Sequence, residues 1–117
     1  MAIRSYKMPQ LTVDSGSVGT VVSDQTIEGR LVAVYLDYSV GAATTDVVLS
    51  GKHMGNTYIT VSNTVTDAFY YPSVALDDAS AGDRAAFAGI PIVDQVQMTA
   101  AQGSVGATID ATLYVEY

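Results

Sequence analysis

The sequence predicts an all-β protein, an antiparallel β-sandwich or small barrel built from seven to nine short strands. Three observations point there. Val occurs 16 times, Thr 12 and Tyr 8, residues that fit a pleated and half-buried surface, whereas Glu and Lys, which fill exposed helix faces, occur twice each. The C-terminal segment alternates strictly, with Ile109, Ala111, Leu113, Val115 and Tyr117 apolar and the residues between them mostly polar. Turn-forming Gly, Asn, Asp and Ser clusters separate short apolar runs along most of the chain.

Taken in order, residues 1–13 form an N-terminal arm or edge strand, and residues 14–117 a single domain. A chain of 117 residues is one domain's worth. Residues 11–13 and 18–22 are strand candidates separated by Asp14-Ser15-Gly16-Ser17. Residues 31–36 are apolar on both faces, as expected of a central strand covered on both sides. Residues 45–49 and 57–61 are shorter strands joined by a turn over 51–56, and residues 66–71 and 90–93 complete the middle of the chain. Val96, Met98 and Ala100 alternate with Gln95, Gln97 and Thr99, and a Gly-containing connection leads to the last strand. That pair reads as an antiparallel hairpin. One stretch breaks the pattern. Ser80 as a cap, Asp83 three residues later, Ala85, Ala86 and Ala88, then Gly89 and Pro91 give the signature of a short helix near residues 81–88.

Charge and composition narrow the function. The chain carries 5 Lys+Arg against 12 Asp+Glu, a formal net charge of −7. Nonspecific nucleic-acid binding and an anionic membrane surface are not expected, because both need clustered cations. Cysteine is absent, which removes disulfides, thiolate metal sites and a Cys nucleophile. The N-terminal residues show no apolar signal-peptide core, and the longest apolar run, residues 31–36, is far below the roughly 20 residues of a membrane-spanning helix.

Catalytic signatures are weak. His53 is the single histidine, it sits in a turn, and no Gly-x-Ser-x-Gly elbow occurs. Asp77, Asp78 and Asp83 form the densest acidic cluster, but their spacing does not match a calcium loop, and they read as turn and helix caps. No phosphate-cradling glycine loop is present. The expectation is a protein that is not an enzyme, with no catalytic residue, no metal and no cofactor.

Surface chemistry points instead to association. Charged residues make up 15% of the chain, against a typical value of about 25%. A domain of this size buries only about 65% of its unfolded-chain surface, so a hydrophobic content of 49% leaves apolar groups outside. Tyrosines in or beside strands are the natural contact residues, and Tyr38, Tyr70 and Tyr71 are the candidates for a subunit interface. Arg4, Tyr6 and Lys7 lie in a basic N-terminal segment on an otherwise acidic chain, which suits docking onto an acidic neighbour or, more simply, an edge strand protected by its charges.

The order of features carries a resemblance. A short N-terminal arm is followed by Gly29-Arg30-Leu31-Val32-Ala33-Val34-Tyr35, then Thr45-Asp46-Val47-Val48-Leu49, then Phe69-Tyr70-Tyr71-Pro72. Gly89-Ile90-Pro91-Ile92 and the closing Leu113-Tyr114-Val115-Glu116-Tyr117 complete it. This resembles the small β-rich virion proteins of tailed bacteriophages, among them the head decoration (cement) proteins. The resemblance is one of pattern across most of the chain. It implies a jelly-roll-like sandwich, a homotrimer, and the major capsid protein as partner on the outside of an assembled capsid. The protein would be made in the host cytoplasm and reside in the virion, with neither nucleic acid nor membrane as partner. A glycan-binding sandwich and a small tail or head-fibre component are the other readings of the same features.

Overall fold

The computed structural model describes residues 2–39, 43–72, 74–77 and 83–116, with the backbone alone for 74–77 and 83–88. Twelve strands run along the described chain. They are β1 (Ile3–Lys7), β2 (Leu11–Thr12), β3 (Gly19–Val22), β4 (Ile27–Tyr38), β5 (Asp46–Gly51), β6 (Thr57–Val61), β7 (Ala68–Tyr70), β8 (Val74–Asp77), β9 (Asp83–Ala88), β10 (Ile90–Asp94), β11 (Val96–Ala101) and β12 (Thr108–Glu116). No helix occurs among the described residues.

The two longest strands, β4 and β12, pair antiparallel from Tyr38↔Ile109 to Arg30↔Glu116 and form the centre of a six-stranded sheet. β1 and β2 follow one another along the free edge of β12. β7 and β10 do the same along the free edge of β4. A second, four-stranded sheet has the order β3-β11-β5-β6, again antiparallel throughout. β8 and β9 pair with each other as a separate two-stranded ribbon. The excess over the expected strand number comes from β1, which shares an edge with β2, and from the two strands of the ribbon.

Alternation decides which side chains meet. Leu31, Val34, Leu36, Ile109, Ala111, Leu113 and Val115 point inward from the larger sheet; Val47, Leu49, Val96, Met98 and Ala100 do so from the smaller one. All are buried in one cluster, so the two sheets share a single core. At roughly 25 cal/mol per Å² of apolar surface, this shared burial is the main stabilising contribution. Tyr38 is also in the core. Its backbone N–H donates to Asp67 Oδ1 at 2.7 Å, but its hydroxyl is buried without a hydrogen-bond partner among the described residues. Burial foremost, then Tyr70 and Asp67, pushes its pKa up to about 12.

Two sequence expectations are corrected. The hairpin expected between residues 95–100 and the last strand does not form, because β11 belongs to the smaller sheet and β12 to the larger. The intervening chain crosses between sheets: Gln102 takes a left-handed φ of 56°, Gly106 donates its N–H to Val13 O, and Ala107 is buried. Alternation reports that a strand has one buried face, and it does not identify the partner. The helix expected near residues 81–88 is replaced over 83–88 by β9, while 81–82 lie outside the described residues. A one- or two-turn helix is marginal on its own. The hydrogen bonds of a ladder with β8 outweigh a cap contributing about 1 kcal/mol.

Leu113 is fully buried and its neighbour Thr112 faces outward, half-buried. Leu113→Ala is expected to cost about 2–5 kcal/mol and Thr112→Ala about 0.5 kcal/mol or less, measured by urea melts. Tyr38→Phe removes a hydroxyl left unpaired in the core and is expected to raise stability by about 1 kcal/mol in the same assay.

Candidate functional site

The outer face of the six-stranded sheet carries the most distinctive surface. Ile3 on β1, Tyr114 on β12, Val32 and Ala33 on β4, Phe69 in the middle of β7 and Tyr71 just beyond that strand line one shallow groove of about 390 Å³. The register explains the convergence. Ile3 sits opposite Glu116 and Ser5 opposite Tyr114, Tyr114 faces Ala33, and Phe69 faces Tyr35. A bulge gives β4 an extra residue, Val32, where the pairing passes from Tyr114↔Ala33 to Val115↔Leu31. Phe69 organises the rings. Its centroid lies 4.7 Å from Tyr35 and 6.0 Å from Tyr114, both tilted, and 6.4 Å from Tyr71 in a stacked arrangement. Ile3 is 57% exposed, Phe69 49% and Tyr71 72%.

None of the six lining residues is charged. Full burial of a Phe-sized side chain contributes about 1.5–3 kcal/mol, so a partner that covers this groove gains several such increments. The reading of residues 31–36 as covered on both sides meets the structure here. Within this chain β4 is covered on its inner face, while Val32, Ala33 and Tyr35 on the outer face are only partly buried.

The expected contact residues are dispersed. Arg4 and Lys7 are exposed on edge strand β1, and Tyr6 is half-buried against the core. Tyr6 and Lys7 also line a cleft of about 250 Å³ with Met8, Ser23, Asp24, Gln25 and Ile27. Residues 3–7 are thus an edge strand; deleting them would uncover the edge of β12 from Thr112 to Glu116. Of the three interface tyrosines, Tyr38 is inside the core, Tyr70 is half-buried and packed against it, and Tyr71 stands in solvent at the groove. Tyr35 and Tyr114 belong to the strand tyrosines that the sequence marks as contact residues, though not to the three named for an interface; Ile3, Val32, Ala33 and Phe69 were not singled out. The signal for Val32 and Ala33 was the two-sided apolar run at 31–36.

His53 is 68% exposed in the turn between β5 and β6, but it has a partner: its Nδ1 lies 2.8 Å from Asp94 Oδ1, while the Asp94 side chain is only 2% exposed. Asp94 chiefly holds the turn. Its Oδ2 accepts the backbone N–H groups of His53 and Met54, both at 2.9 Å, and its Oδ1 accepts that of Gln95 at 2.8 Å. Gly51 leaves space for this cluster, since a Cβ there would stand 2.7 Å from Asn56 Oδ1 and 2.8 Å from Asp94 Oδ2. The amide of Met54 above all, with His53 and Gln95 adding to it against the effect of burial, holds the Asp94 carboxyl down to about 2. Three of its four contacts are to backbone N–H groups, which makes Asp94 a turn-holding residue. In the acidic cluster, Asp77 and Asp83 face one another across the β8–β9 ribbon, and Asp78 lies outside the described residues. Among the described residues no group of three or more His, Asp or Glu is placed to hold a metal ion.

No protein-family model and no curated protein sequence matches the chain. Among solved structures, it is similar to a family two carbohydrate esterase from Cellvibrio japonicus. That likeness has 7% identity and a TM-score of 0.41, and covers 98% of this chain and 35% of the esterase. The chain therefore spans about a third of the esterase's length. It is also similar to the extra small virus of the giant freshwater prawn Macrobrachium rosenbergii, in the form of a virus-like particle. Here the identity is 14% and the TM-score 0.36, covering 97% of this chain and 77% of the viral one. Function is therefore read from the chain's own residues.

Asp94 has a folded-state pKa of about 2 against an ordinary 3.8, so its contribution is complete above about pH 4 and is lost as pH falls through about 2. Asp94→Asn is expected to lower the melting temperature at neutral pH. The gap to wild type should close as melts are repeated toward pH 2.

Proposed function

We propose that the chain is a structural, non-catalytic virion subunit that associates with protein neighbours through the aromatic face of its larger sheet. The observation that carries this reading is the uncharged groove, walled by Phe69, Tyr71 and Tyr114 and open to solvent. The buried centres of protein interfaces are depleted of charge and rich in aromatic residues. The strand order supports the finer reading as a jelly roll. Counting β1 with β2 and β7 with β10, successive strands pass between the sheets except for β5 and β6, which form a hairpin within the smaller one, and the two orders are those of an eight-stranded roll. That topology accords with the resemblance to phage head decoration proteins. The particular role we favour is binding, as a homo-oligomer, to the outside of an assembled capsid, where it stabilises the shell by mass action. Arg4 and Lys7, on the rim strand β1, are the basic groups suited to an acidic capsid surface.

One observation favours a glycan ligand instead: the stacked and exposed pair of Phe69 and Tyr71. Sugar sites also need polar groups converging on the ligand's hydroxyls, and in this groove the side chains offer only two phenols.

The test compares wild type with the double variant Phe69→Ser, Tyr71→Ser. Both residues lie outside the core, so the variant is expected to lose no more than about 1–2 kcal/mol of stability. It should lose self-association in light scattering and co-sedimentation with capsids lacking this chain. A folded variant that matches wild type in both assays sinks the reading. A wild-type signal on a glycan array, abolished in the variant, would transfer the face to the second one.

A further inference from the structure

β1 ends the larger sheet, with β12 on one side and no strand on the other among the described residues. Which of its backbone groups face the open side follows from one hydrogen bond. Met8 stands one step beyond the Lys7↔Thr112 pair and donates its N–H to Ala111 O at 2.9 Å. In an antiparallel ladder, bonded and non-bonded pairs alternate. Arg4 and Tyr6 therefore turn their N–H and C=O groups to β12, and Ile3, Ser5 and Lys7 turn theirs to the open side. The far edge of β12 agrees. Ser39 donates its N–H to Thr108 O at 3.0 Å, so Asp110, Thr112 and Tyr114 bond to β4 and leave Ala111, Leu113 and Val115 to the chain of β1 and Met8.

The cleft of about 250 Å³ opens beside the same edge. Tyr6, Lys7 and Met8 all line it. Successive side chains of a strand point to opposite faces, so three consecutive residues reach one cleft only along the strand's edge, and β12 occupies the other edge. Met8 and Ile27, 2% and 1% exposed, are its buried apolar members, and Ser23, Asp24 and Gln25 complete the lining. The Ser23 hydroxyl is already committed: it donates to Gln25 O at 2.8 Å and accepts the Val96 N–H at 3.0 Å. What the cleft offers is room for one apolar side chain of moderate size. The charge of the edge is distinctive as well. β1 carries Arg4 and Lys7 and no acid, in a chain with 5 basic and 12 acidic residues.

We infer that the open edge of β1 receives an extended acidic segment of a protein neighbour as an added strand, with one apolar side chain of that segment in the cleft. It rests on the reading of the chain as a subunit that docks onto protein neighbours, and it adds a second contact, separate from the aromatic groove. The backbone selects an extended segment. The outward groups of Ile3, Ser5 and Lys7 recur at every second residue, about 6.6 Å apart, a spacing that another strand matches. Charge selects an acidic one. Arg4 and Lys7 are an odd number of residues apart, so their side chains lie on opposite faces, and acids on either face of an added strand meet a cation. The β1 of a second copy would instead bring two more cations to the edge. Charges that guard an edge strand against indiscriminate pairing thus admit a strand of opposite sign. Asp24 at the cleft disfavours an acid inside it, which leaves that position to an apolar residue.

The experiment measures attachment to capsids lacking this chain, together with amide hydrogen exchange of the free and the attached wild type. Exchange in residues 3–7 is expected to slow about tenfold or more on attachment, because Ile3, Ser5 and Lys7 acquire acceptors. Ser5→Pro removes an N–H that makes no bond to β12, a change an edge strand tolerates. It is expected to melt within a few degrees of wild type and to attach about tenfold more weakly. Arg4→Glu, Lys7→Glu is expected to weaken attachment by a similar factor, and wild-type attachment to fall as salt rises. Equal exchange in residues 3–7 of the free and attached chain overturns the inference, whatever the variants do. So does a folded Ser5→Pro chain that attaches like wild type, and so does a charge reversal without effect, which removes the acidic partner. If Ser5→Pro dissociates the chain's own oligomer and leaves attachment unchanged, the occupant is a second copy and the inference falls. If Phe69→Ser, Tyr71→Ser loses attachment while Ser5→Pro keeps it, the aromatic docking face stands and the edge falls. If Ser5→Pro loses it while that double variant keeps it, the edge stands and the aromatic face falls. A wild-type chain that never attaches sinks the underlying reading and the inference with it.

Discussion

The antiparallel pairing of β4 with β12 is the constraint on which the rest of the molecule depends. These strands contribute the inner row of Leu31, Val34, Leu36, Ile109, Ala111, Leu113 and Val115, against which the smaller sheet packs. They also provide both outer edges on which β1, β2, β7 and β10 assemble. Each of those four strands is short, and a short strand alone contributes little stability. Their positions are therefore set by the two long strands, and so is the relative placement of Ile3, Tyr114, Val32, Ala33 and Phe69.

The same pairing exposes a conflict. β4 is apolar on both faces over residues 31–36, yet among the described residues a second sheet covers only one of them. The aromatic side chains collect on the uncovered face because every second residue of a strand must point there. Phe69 mitigates the exposure by packing on Tyr35 and Tyr114, and remains half in solvent itself. An acidic chain with net charge −7 is repelled by its own copies, so any self-association has to be driven by burial of this kind.

Local features of the architecture were legible in the sequence, and pairings between distant segments were not. The alternation of Val96, Met98 and Ala100, and of Ile109 to Val115, identified inward residues correctly, because a one-residue slip would expose the whole set. The same alternation misled on connectivity, since β11 and β12 each have one buried face but in different sheets. The helix signal of Ser80, Asp83 and the alanines was local and small, and a ladder with residues 74–77 overrode it. Asp94 is 41 residues from His53, and its hold on that turn depends on the β11–β5 register, which sets Val96 opposite Gly51. The groove draws one or two residues from each of four strands, so no motif could announce it. Its traces were the strand tyrosines, Tyr71 and Tyr114 among them, and the apolar outer face of residues 31–36.

The edge that β7 and β10 share, interrupted by the β8–β9 ribbon, gives this arrangement a physical logic. An excursion inserted into a central strand would break a ladder on both sides. Inserted into the outermost strand, at a bulge where β4 already departs from regular pairing, it forfeits few hydrogen bonds. The residues that build the core lie on one face of β4, and those that build the groove lie on the other. Substitutions in the ribbon or on the outer face therefore leave Leu31, Val34 and Leu36 in place. On the proposed reading, stability and association fall on opposite sides of one strand, so that each can vary without the other.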